Sequence, residues 1–237
     1  MKMRIKGLVA IVTIIAMFTS CRKEINGSGT FITQKRNVGA FTGVESCGDY
    51  TVILKQADHT SVELYGENNI LPYIETVVTG NELRIYNRNS KTHLDDNGVT
   101  VTIHSPHFNN VSLQGSGEIS SVGILSEHSI RTNLSGSGKI LLGVDAVDLQ
   151  SVLAGSGTIT IHGVADVARH TISGSGDVQA YDLISQNVTA TISGSGNCFV
   201  NATDYLHATI SGSGNVIYIG DQQVTASISG SGTVRKN

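Results

Sequence analysis

Histidines are the first residues in this chain to consider for chemistry, and only His104 and His107 lie close together, in a His-Ser-Pro-His segment. Zinc sites usually need a third and a fourth ligand at defined spacing. Pro106, which stands between the two, also prevents them from sharing one face of a helix. We therefore interpret the pair as solvated residues at a strand end, and we expect neither a bound metal nor a cofactor.

A polysaccharide lyase would need a base and carboxylates clustered on one face of the protein. Arg131 and Arg169 occupy equivalent positions of a sequence repeat, His207 stands at the same position farther along, and Lys139 is nearby in sequence. No pair of aspartates falls at that position, and no Gly-x-Ser-x-Gly leads from a strand into a helix. The pattern favours a protein that is not an enzyme. A carbohydrate-active enzyme of the lyase type is the alternative.

Aspartates recur near a second, looser corner of the repeat, on one edge, where they could bind calcium, which prefers several oxygen ligands. Their offsets within the repeat differ by up to three residues, so they need not stack, and the nonapeptide of calcium-binding β-rolls is absent. We interpret them as solvated turn carboxylates. These residues are Asp145, Asp166, Asp182, Asp204 and Asp221.

The elements that position these residues come from a repeat marked by Gly-Ser-Gly. From residue 115 onward the tripeptide occurs seven times, at intervals of 18 to 21 residues, too regular for a flexible linker. We expect its glycines to form tight corners, because they allow positive φ and close approach of the main chain. The predicted corner glycines are Gly115, Gly117, Gly136, Gly138, Gly155, Gly157, Gly174, Gly176, Gly194, Gly196, Gly212, Gly214, Gly230 and Gly232.

Apolar residues alternate with polar ones on both sides of each tripeptide. Leu or Ile always stands two residues before the first glycine, and an apolar residue always stands two after the last one, as Ile192 and Cys198 do around Gly194. This period of two predicts strands. His170 falls in an inward row with Ala, Ser and Thr, which predicts a hydrogen-bonded core or strand-end histidine.

The repeat length predicts the fold class. An all-β parallel β-helix, or solenoid, with two sheets and one rung per repeat accounts for the pattern. At a rung spacing of ~4.8 Å, seven rungs would make a rod of roughly 34 Å. A looser second corner follows each Gly-Ser-Gly corner by about six residues, with Gly123, Gly143, Gly163 and Gly220 in four of the rungs.

Residues 31–110 are less regular but also read as strands, with a polar loop from Asn87 to Gly98. We predict that this head region stacks on the same helix as imperfect rungs. The expected organisation is a signal peptide at 1–20, a lipidated tether at 21–30, a head β region at 31–110 and the repeat β-helix at 111–237. Predicted head strands are Tyr50–Leu54, Ser61–Tyr65, Ile74–Val78, Leu83–Tyr86 and Val99–Ile103.

The first twenty residues have the pattern of an export signal. Three basic residues precede an apolar run from Leu8 to Phe18, too short to span a bilayer, and small residues then lead to Cys21. This resembles a bacterial lipoprotein signal in which Cys21 becomes the lipidated first residue and joins the protein to the membrane. An ordinary cleaved signal with an incidental cysteine is the alternative.

Charge and cysteine content restrict the remaining classes. The formal net charge is −3 and only 15% of residues are charged, so a nucleic-acid partner is not expected. Cys47 and Cys198 would remain in the exported chain, where they could pair. The inward position of Cys198 favours two unpaired thiols instead.

Five head motifs precede the Gly-Ser-Gly series: Ile25-Asn26-Gly27-Ser28-Gly29, Arg36-Asn37-Val38, Phe41-Thr42-Gly43-Val44, Val62-Glu63-Leu64-Tyr65-Gly66 and Asn81-Glu82-Leu83-Arg84-Ile85. In this order they resemble the putative auto-transporter adhesin family with the head GIN domain. The resemblance implies a two-sheet β superhelix and a role in adhesion, with no assigned active site.

The functional expectation is a cell-envelope lipoprotein of the outer membrane that binds a glycan or a protein. Surface display stays open, because Arg22-Lys23-Glu24 is not an acidic export run. The last rung is not followed by a capping helix, which predicts that its open strand edge is covered by another copy in a homo-oligomer.

Overall fold

The computed structural model describes residues 23–89, 92–95 and 98–237; the predicted signal peptide and Cys21 lie outside this range. The described residues form strands and one short 3-10 turn, Leu71–Tyr73, with no α-helix. The strands are β1 (Lys23–Asn26), β2 (Phe31–Arg36), β3 (Gly43–Cys47), β4 (Thr51–Gln56), β5 (Ser61–Glu67), β6 (Ile74–Thr79), β7 (Glu82–Asn87), β8 (Thr92–Asp95), β9 (Thr100–Ser105), β10 (Asn110–Gly115), β11 (Glu118–Gly136), β12 (Lys139–Gly155), β13 (Thr158–Gly174), β14 (Asp177–Gly194), β15 (Asn197–Gly212), β16 (Asn215–Ile219), β17 (Gln223–Gly230) and β18 (Thr233–Lys236).

Stacked parallel coils form a β-solenoid of about seven turns, which confirms the predicted fold class. The strand segments before each Gly-Ser-Gly corner stack as one surface, here called sheet A, which contains β10, β17 and the C-terminal halves of β11 to β15. The segments after each corner form sheet B, which contains β16, β18 and the N-terminal halves of the same long strands. Each long strand passes through a second corner, where a register shift interrupts the pairing of β11 with β12, of β13 with β14 and of β14 with β15, but not that of β12 with β13.

The core lies between the two sheets and consists of stacked equal side chains. Leu134, Leu153 and Ile172 lie above one another in register, and each is at most 1% exposed. Burial of one such side chain is worth roughly 1.5–3 kcal/mol. Repetition of that gain in every rung stabilises a structure whose 15% charged residues supply few ion pairs.

The head region continues both sheets, as predicted, but its rungs do not follow chain order. In sheet A, β3 lies between β10 and β7; in sheet B, β4 lies between β11 and β9. Along the chain, the inner head rung, which β3 and β4 form, therefore comes before the outer head rung, which β7 and β9 form. The link from β9 to β10 then carries it past the β3–β4 rung to the first Gly-Ser-Gly rung.

Antiparallel strands end the solenoid at the head. Strand β6 pairs with β7 in sheet A, while β5 pairs with β9 and β2 with β5 in sheet B. Ile70 and Leu71 of the 3-10 turn region are fully buried there. The Arg36 guanidinium donates from Nη2 to the carbonyl oxygens of Leu71 and Ile74, at 2.8 and 3.2 Å. The apolar core is therefore covered at this end.

All five predicted head strands are present, each within two residues of its predicted bounds. The loop prediction for Asn87–Gly98 was wrong in part, because β8 forms within it and pairs in parallel with β1. Alternation could not reveal β8, since its four residues gain their partner from a distant segment. Strands β2 and β3 were not predicted either.

The opposite end of the solenoid is open among the described residues. Strand β17 pairs only with β15 and β18 only with β16. The inward residues Val224 and Ile228 are 38% and 45% exposed, whereas Leu206 and Ile210 below them are each 1% exposed. No described helix is long and apolar enough to cross a membrane.

Candidate functional site: a groove on sheet B

The Gly-Ser-Gly corners stack through their main chains. The Gly174 carbonyl oxygen accepts hydrogen bonds from the N–H groups of Ser195 and Gly196, at 2.8 and 3.1 Å, and the corners at residues 136, 155, 174, 212 and 230 use the same arrangement. Gly194 has φ +134°, and a Cβ there would lie 2.3 Å from the Gly174 carbonyl oxygen. The corners therefore serve the scaffold: their close main-chain contacts align the outward side chains of successive rungs.

The outer surface of sheet A carries the predicted column of Arg131, Arg169 and His207, with Gln150 and Thr189 between them. Arg169 forms an ion pair with Asp148, and both side chains are nearly half exposed. An exposed ion pair of this kind is a surface feature rather than a general acid and base held over a substrate. The alternative of a lyase thus gains no support here.

In β13 to β15 the outer surface of sheet A is a lattice of small hydroxyl side chains. Thr171, Thr191 and Thr209 stack in one column. A parallel column two residues along each strand contains Ser173, Ser193 and Ser211. This lattice offers hydrogen bonds but no apolar platform. Nearer the head, a polar recess of about 440 Å³ on sheet A is lined by Asn109, Asn110, Ser129, Arg131 and Asn133.

The two histidines of the His-Ser-Pro-His segment have separate partners. The His104 ring stacks on His59 at 5.3 Å, and its Nδ1 lies 3.1 Å from Ser61 Oγ. Burial lowers the pKa of His104, and the neighbouring Lys55 lowers it further. His107 Nδ1 instead lies 3.2 Å from Glu127 Oε1. Within residues 23–89, 92–95 and 98–237, no three His, Cys, Asp or Glu side chains form a metal-binding group.

The second-corner aspartates do not align along the rod. Asp145 is in register with Val164 and Ile184 of the following rungs rather than with another acid. Asp221 forms an ion pair with Lys236 at 2.6 Å, which lowers the pKa of its carboxyl. This arrangement agrees with solvated turn carboxylates.

Cys47 and Cys198 are both unpaired. Cys198 is fully buried in the inward row of sheet B, and that burial raises the pKa of its thiol. Burial, together with the nearby Glu45 carboxylate, also raises the pKa of the Cys47 thiol. Neither environment favours a reactive thiolate.

His170 lies in the core, as predicted, but the predicted hydrogen bonds are not there. Neither ring nitrogen has a protein partner, and the hydroxyls of Thr132 and Ser151 in the same inward column are also without one. Burial lowers the pKa of His170 to about 4, so the ring is neutral at pH 7. These polar side chains therefore lie above one another in the core but form no hydrogen bonds with one another.

The outer surface of sheet B carries a groove lined by aromatic and aliphatic side chains. Along its central outward column Leu141, Thr160, Gln179 and Phe199 follow in register. The Tyr181 ring lies beside Phe199, with centroids 5.3 Å apart and planes at 71°.

The groove consists of two adjoining recesses. Residues 160, 179, 181, 182 and 199 line a recess of about 290 Å³. A second recess, of about 310 Å³, shares Thr160 and Gln179 and extends to Lys139 and Glu118. Because the recesses share two residues, they form one groove across five rungs, or roughly 19 Å at ~4.8 Å per rung.

A fixed polar ladder flanks the groove. Asn197 Nδ2 donates to Asp177 Oδ1 at 3.0 Å, and Asn215 Nδ2 donates to Asn197 Oδ1 at 2.9 Å. Thr233 Oγ1 donates to Asn215 Oδ1 at 2.7 Å. These bonds link successive rungs and hold the groove's edge in one conformation.

Sequence reasoning missed this groove, although the signal was present. Leu141, Phe199 and Ile217 interrupt the polar alternation at one outward repeat position. Tyr181 comes beside Phe199 only because their rungs stack, which no local pattern reveals.

The comparisons with known proteins can be set against this geometry. Residues 40–222 match the family model described as "Putative auto-transporter adhesin, head GIN domain". This chain belongs to that family. No curated protein matches it.

Similar solved structures come from Bacteroides and Parabacteroides species. A putative adhesin from Bacteroides fragilis has a TM-score of 0.84 at 24% identity, covering 90% of this chain and all of that one, and shows the shared fold. A "putative lipid binding protein" from Parabacteroides distasonis has a TM-score of 0.75 at 26% identity, and a putative adhesin from the same species has 0.71 at 26%. Each of these two matches covers 91% of this chain and the whole of the matched chain.

Proposed function

We propose that this protein is a non-catalytic binding module of the cell envelope that mediates adhesion through the outer surface of its solenoid. The groove of sheet B is the observation that carries the proposal. It combines Tyr181 and Phe199 with the polar side chains of Thr160 and Gln179 in one recess. A rigid surface of this kind binds without having to order itself first. Membership of an adhesin family supports the same conclusion.

Bead adhesion tests this function directly. Beads coated with the purified chain should attach to immobilised glycans or host-matrix proteins, and lyase and hydrolase assays on the same glycans should remain blank. Beads that attach to none of these surfaces would contradict the adhesion proposal. Cleavage of a polysaccharide that is lost in Arg169→Ala would instead establish the enzyme.

The proposal includes a lipid anchor at Cys21, placed on the outer membrane. Its support is the sequence alone: a basic start, a short apolar run and small residues before the cysteine. Several acyl chains on one residue would hold the protein far more firmly than a single chain. In cells grown with labelled palmitate, the wild type should take up label and sediment with membranes. Cys21→Ser should do neither, and labelling of that variant would contradict the anchor.

We further propose that two copies meet at the open end. Strand β17 contains no charged residue, and such residues are what usually protects an exposed strand edge. Antiparallel pairing of two β17 strands about a two-fold axis at Ala226 would place Val224 opposite Ile228 of the second copy. Apolar residues then face apolar ones, and the exposed core residues of both copies are covered.

Light scattering tests this dimer. The wild type should show twice the mass of one chain, and Ala226→Asp, which places two like charges opposite each other, should be monomeric. Thr209→Asp, on the outer surface of the preceding rung, should remain dimeric. A wild-type monomer at all accessible concentrations would exclude the pairing.

A further inference from the structure

We infer that the groove of sheet B binds an extended chain of neutral pyranose sugars that lies along the solenoid axis, with one sugar over each rung. The inference rests on the proposed binding function and assigns its site and ligand class. Tyr181 and Phe199 are the stacking residues, and Thr160 and Gln179 are the central hydrogen-bonding residues.

The chemical composition of the groove fits a sugar. A pyranose has one face made mostly of C–H bonds and an edge of hydroxyl groups. The first packs against aromatic rings, and the second needs donors and acceptors close by. Tyr181 and Phe199 supply rings, and Gln179 supplies both a donor and an acceptor within the same recess.

The dimensions of the groove fit a chain rather than one large ligand. Each recess is at or below the small end of the range for drug-sized ligands, roughly 300–1,000 Å³. The strand spacing of ~4.8 Å is close to the length of one sugar unit in an extended glycan. Successive sugars would therefore meet equivalent positions of successive rungs.

The charges of the groove exclude a polyanion. Glu118 and Lys139 lie on adjacent rungs at one end, while Asp182 lines the other end and Arg235 acts electrostatically on nearby Tyr181. Because both signs are interspersed, the groove lacks the continuous positive charge that a sulfated glycan or a nucleic acid requires.

The location of the groove disfavours an extended peptide. A peptide strand gains its affinity by pairing with the open edge of a sheet. The groove lies on the face of sheet B, where the main chains of its central column, Leu141, Thr160, Gln179 and Phe199, are already paired between rungs. Recognition must therefore come from side chains, which suits a ligand with many hydroxyl groups.

Calorimetric titration of the purified full chain tests the inference. The probes are cellohexaose, xylohexaose, mannohexaose and maltohexaose, with a heparin hexasaccharide as the acidic comparison. At least one neutral hexasaccharide should bind, and the heparin fragment should not. Phe199→Ala and Tyr181→Ala should each weaken binding by about tenfold or more, the loss expected for an aromatic anchor residue.

Matched variants separate stacking from folding. Phe199→Tyr keeps a ring and should retain binding, and Thr191→Ala alters the hydroxyl lattice of sheet A and should change nothing. Unaltered melting temperatures would show that the alanine variants are folded. Binding by none of the neutral probes, or equal binding by Phe199→Ala and wild type, would overturn the inference.

The bead assay distinguishes failure of the glycan-binding inference from failure of the proposed adhesive function. If beads coated with Phe199→Ala attach as well as wild-type beads, adhesion stands and the groove is not its site. If the wild-type beads attach to nothing and no hexasaccharide binds, both proposals fail together.

Discussion

The apolar core is covered at one end of the solenoid and exposed at the other. At the head, antiparallel strands and the 3-10 turn cover the apolar interior, and Arg36 ties the cover to the sheet. In the last rung the inward row reaches the surface, where Ile228 is 45% exposed against 1% for Ile210 below it. A repeat sequence thus produces a core residue only where another rung stacks on both sides.

A charge placed in the middle of the core should have the largest effect. Ile192→Asp puts a carboxylate where the side chain is 1% exposed, with a loss of about 4 kcal/mol or more in the free energy of unfolding, comparable to the total stability of some domains. Ile228→Asp, in the same inward row at the open end, should cost about 1 kcal/mol or less in the monomer. Urea denaturation measures both, and Thr191→Asp on the outer surface is the control. Equal midpoints for Ile192→Asp and Thr191→Asp would contradict the register.

A side chain at an interior corner should come next. Gly194→Val combines φ +134° with a Cβ 2.3 Å from a carbonyl oxygen, so the two rungs must separate. A loss of about 3 kcal/mol is expected, against about 1 kcal/mol at most for Ser195→Ala. Thermal melts compare the two, and the reverse order would assign the corners to serine rather than to glycine.

The buried histidine should make the middle of the rod sensitive to acid. The pKa of His170 is about 4 in the folded protein and near 6.5 when unfolded, so the unfolded state binds more protons between these values. The contribution of the neutral His170 ring to the free energy of unfolding is therefore fully present above pH 6.5 and is lost as the pH falls towards 4. The loss should reach about 3 kcal/mol.

Comparison with variants isolates this contribution. His170→Ala should be less sensitive to pH between 6.5 and 4 by that amount, whatever its stability at pH 7. His207→Ala, which removes an outward histidine, should keep the wild-type dependence. A His170→Ala variant with an unchanged pH profile would show that the ring is not buried in a neutral form.

Loss of the head cover should have the smallest effect of the four. Arg36→Met keeps much of the side-chain length but removes both hydrogen bonds to the Leu71 and Ile74 carbonyls, at a cost of about 2 kcal/mol. Hydrogen exchange should increase in β2 and β6 more than in β13 and β14. Uniform acceleration along the chain would indicate that the head does not act as a separate cover.

The sequence by itself determined the solenoid. Leu or Ile before each corner, glycine within it and a rung of 18 to 21 residues dictate strands, turns and stacking, because the same local geometry recurs in every repeat. The inward positions of Ile192, Cys198 and His170 followed from alternation alone. The five predicted head strands were likewise readable one by one.

Only the tertiary structure decided how distant segments meet. Strand β3 lies between β7 and β10, and β8 forms against β1, because main-chain groups at sheet edges pair with whatever strand the fold brings to them. His170 was predicted to be buried, but its lack of partners depends on neighbours in other rungs. No local pattern in the sequence relates Tyr181 to Phe199. They form one side of a groove because parallel stacking converts a separation of 18 residues in sequence into a ring distance of 5.3 Å.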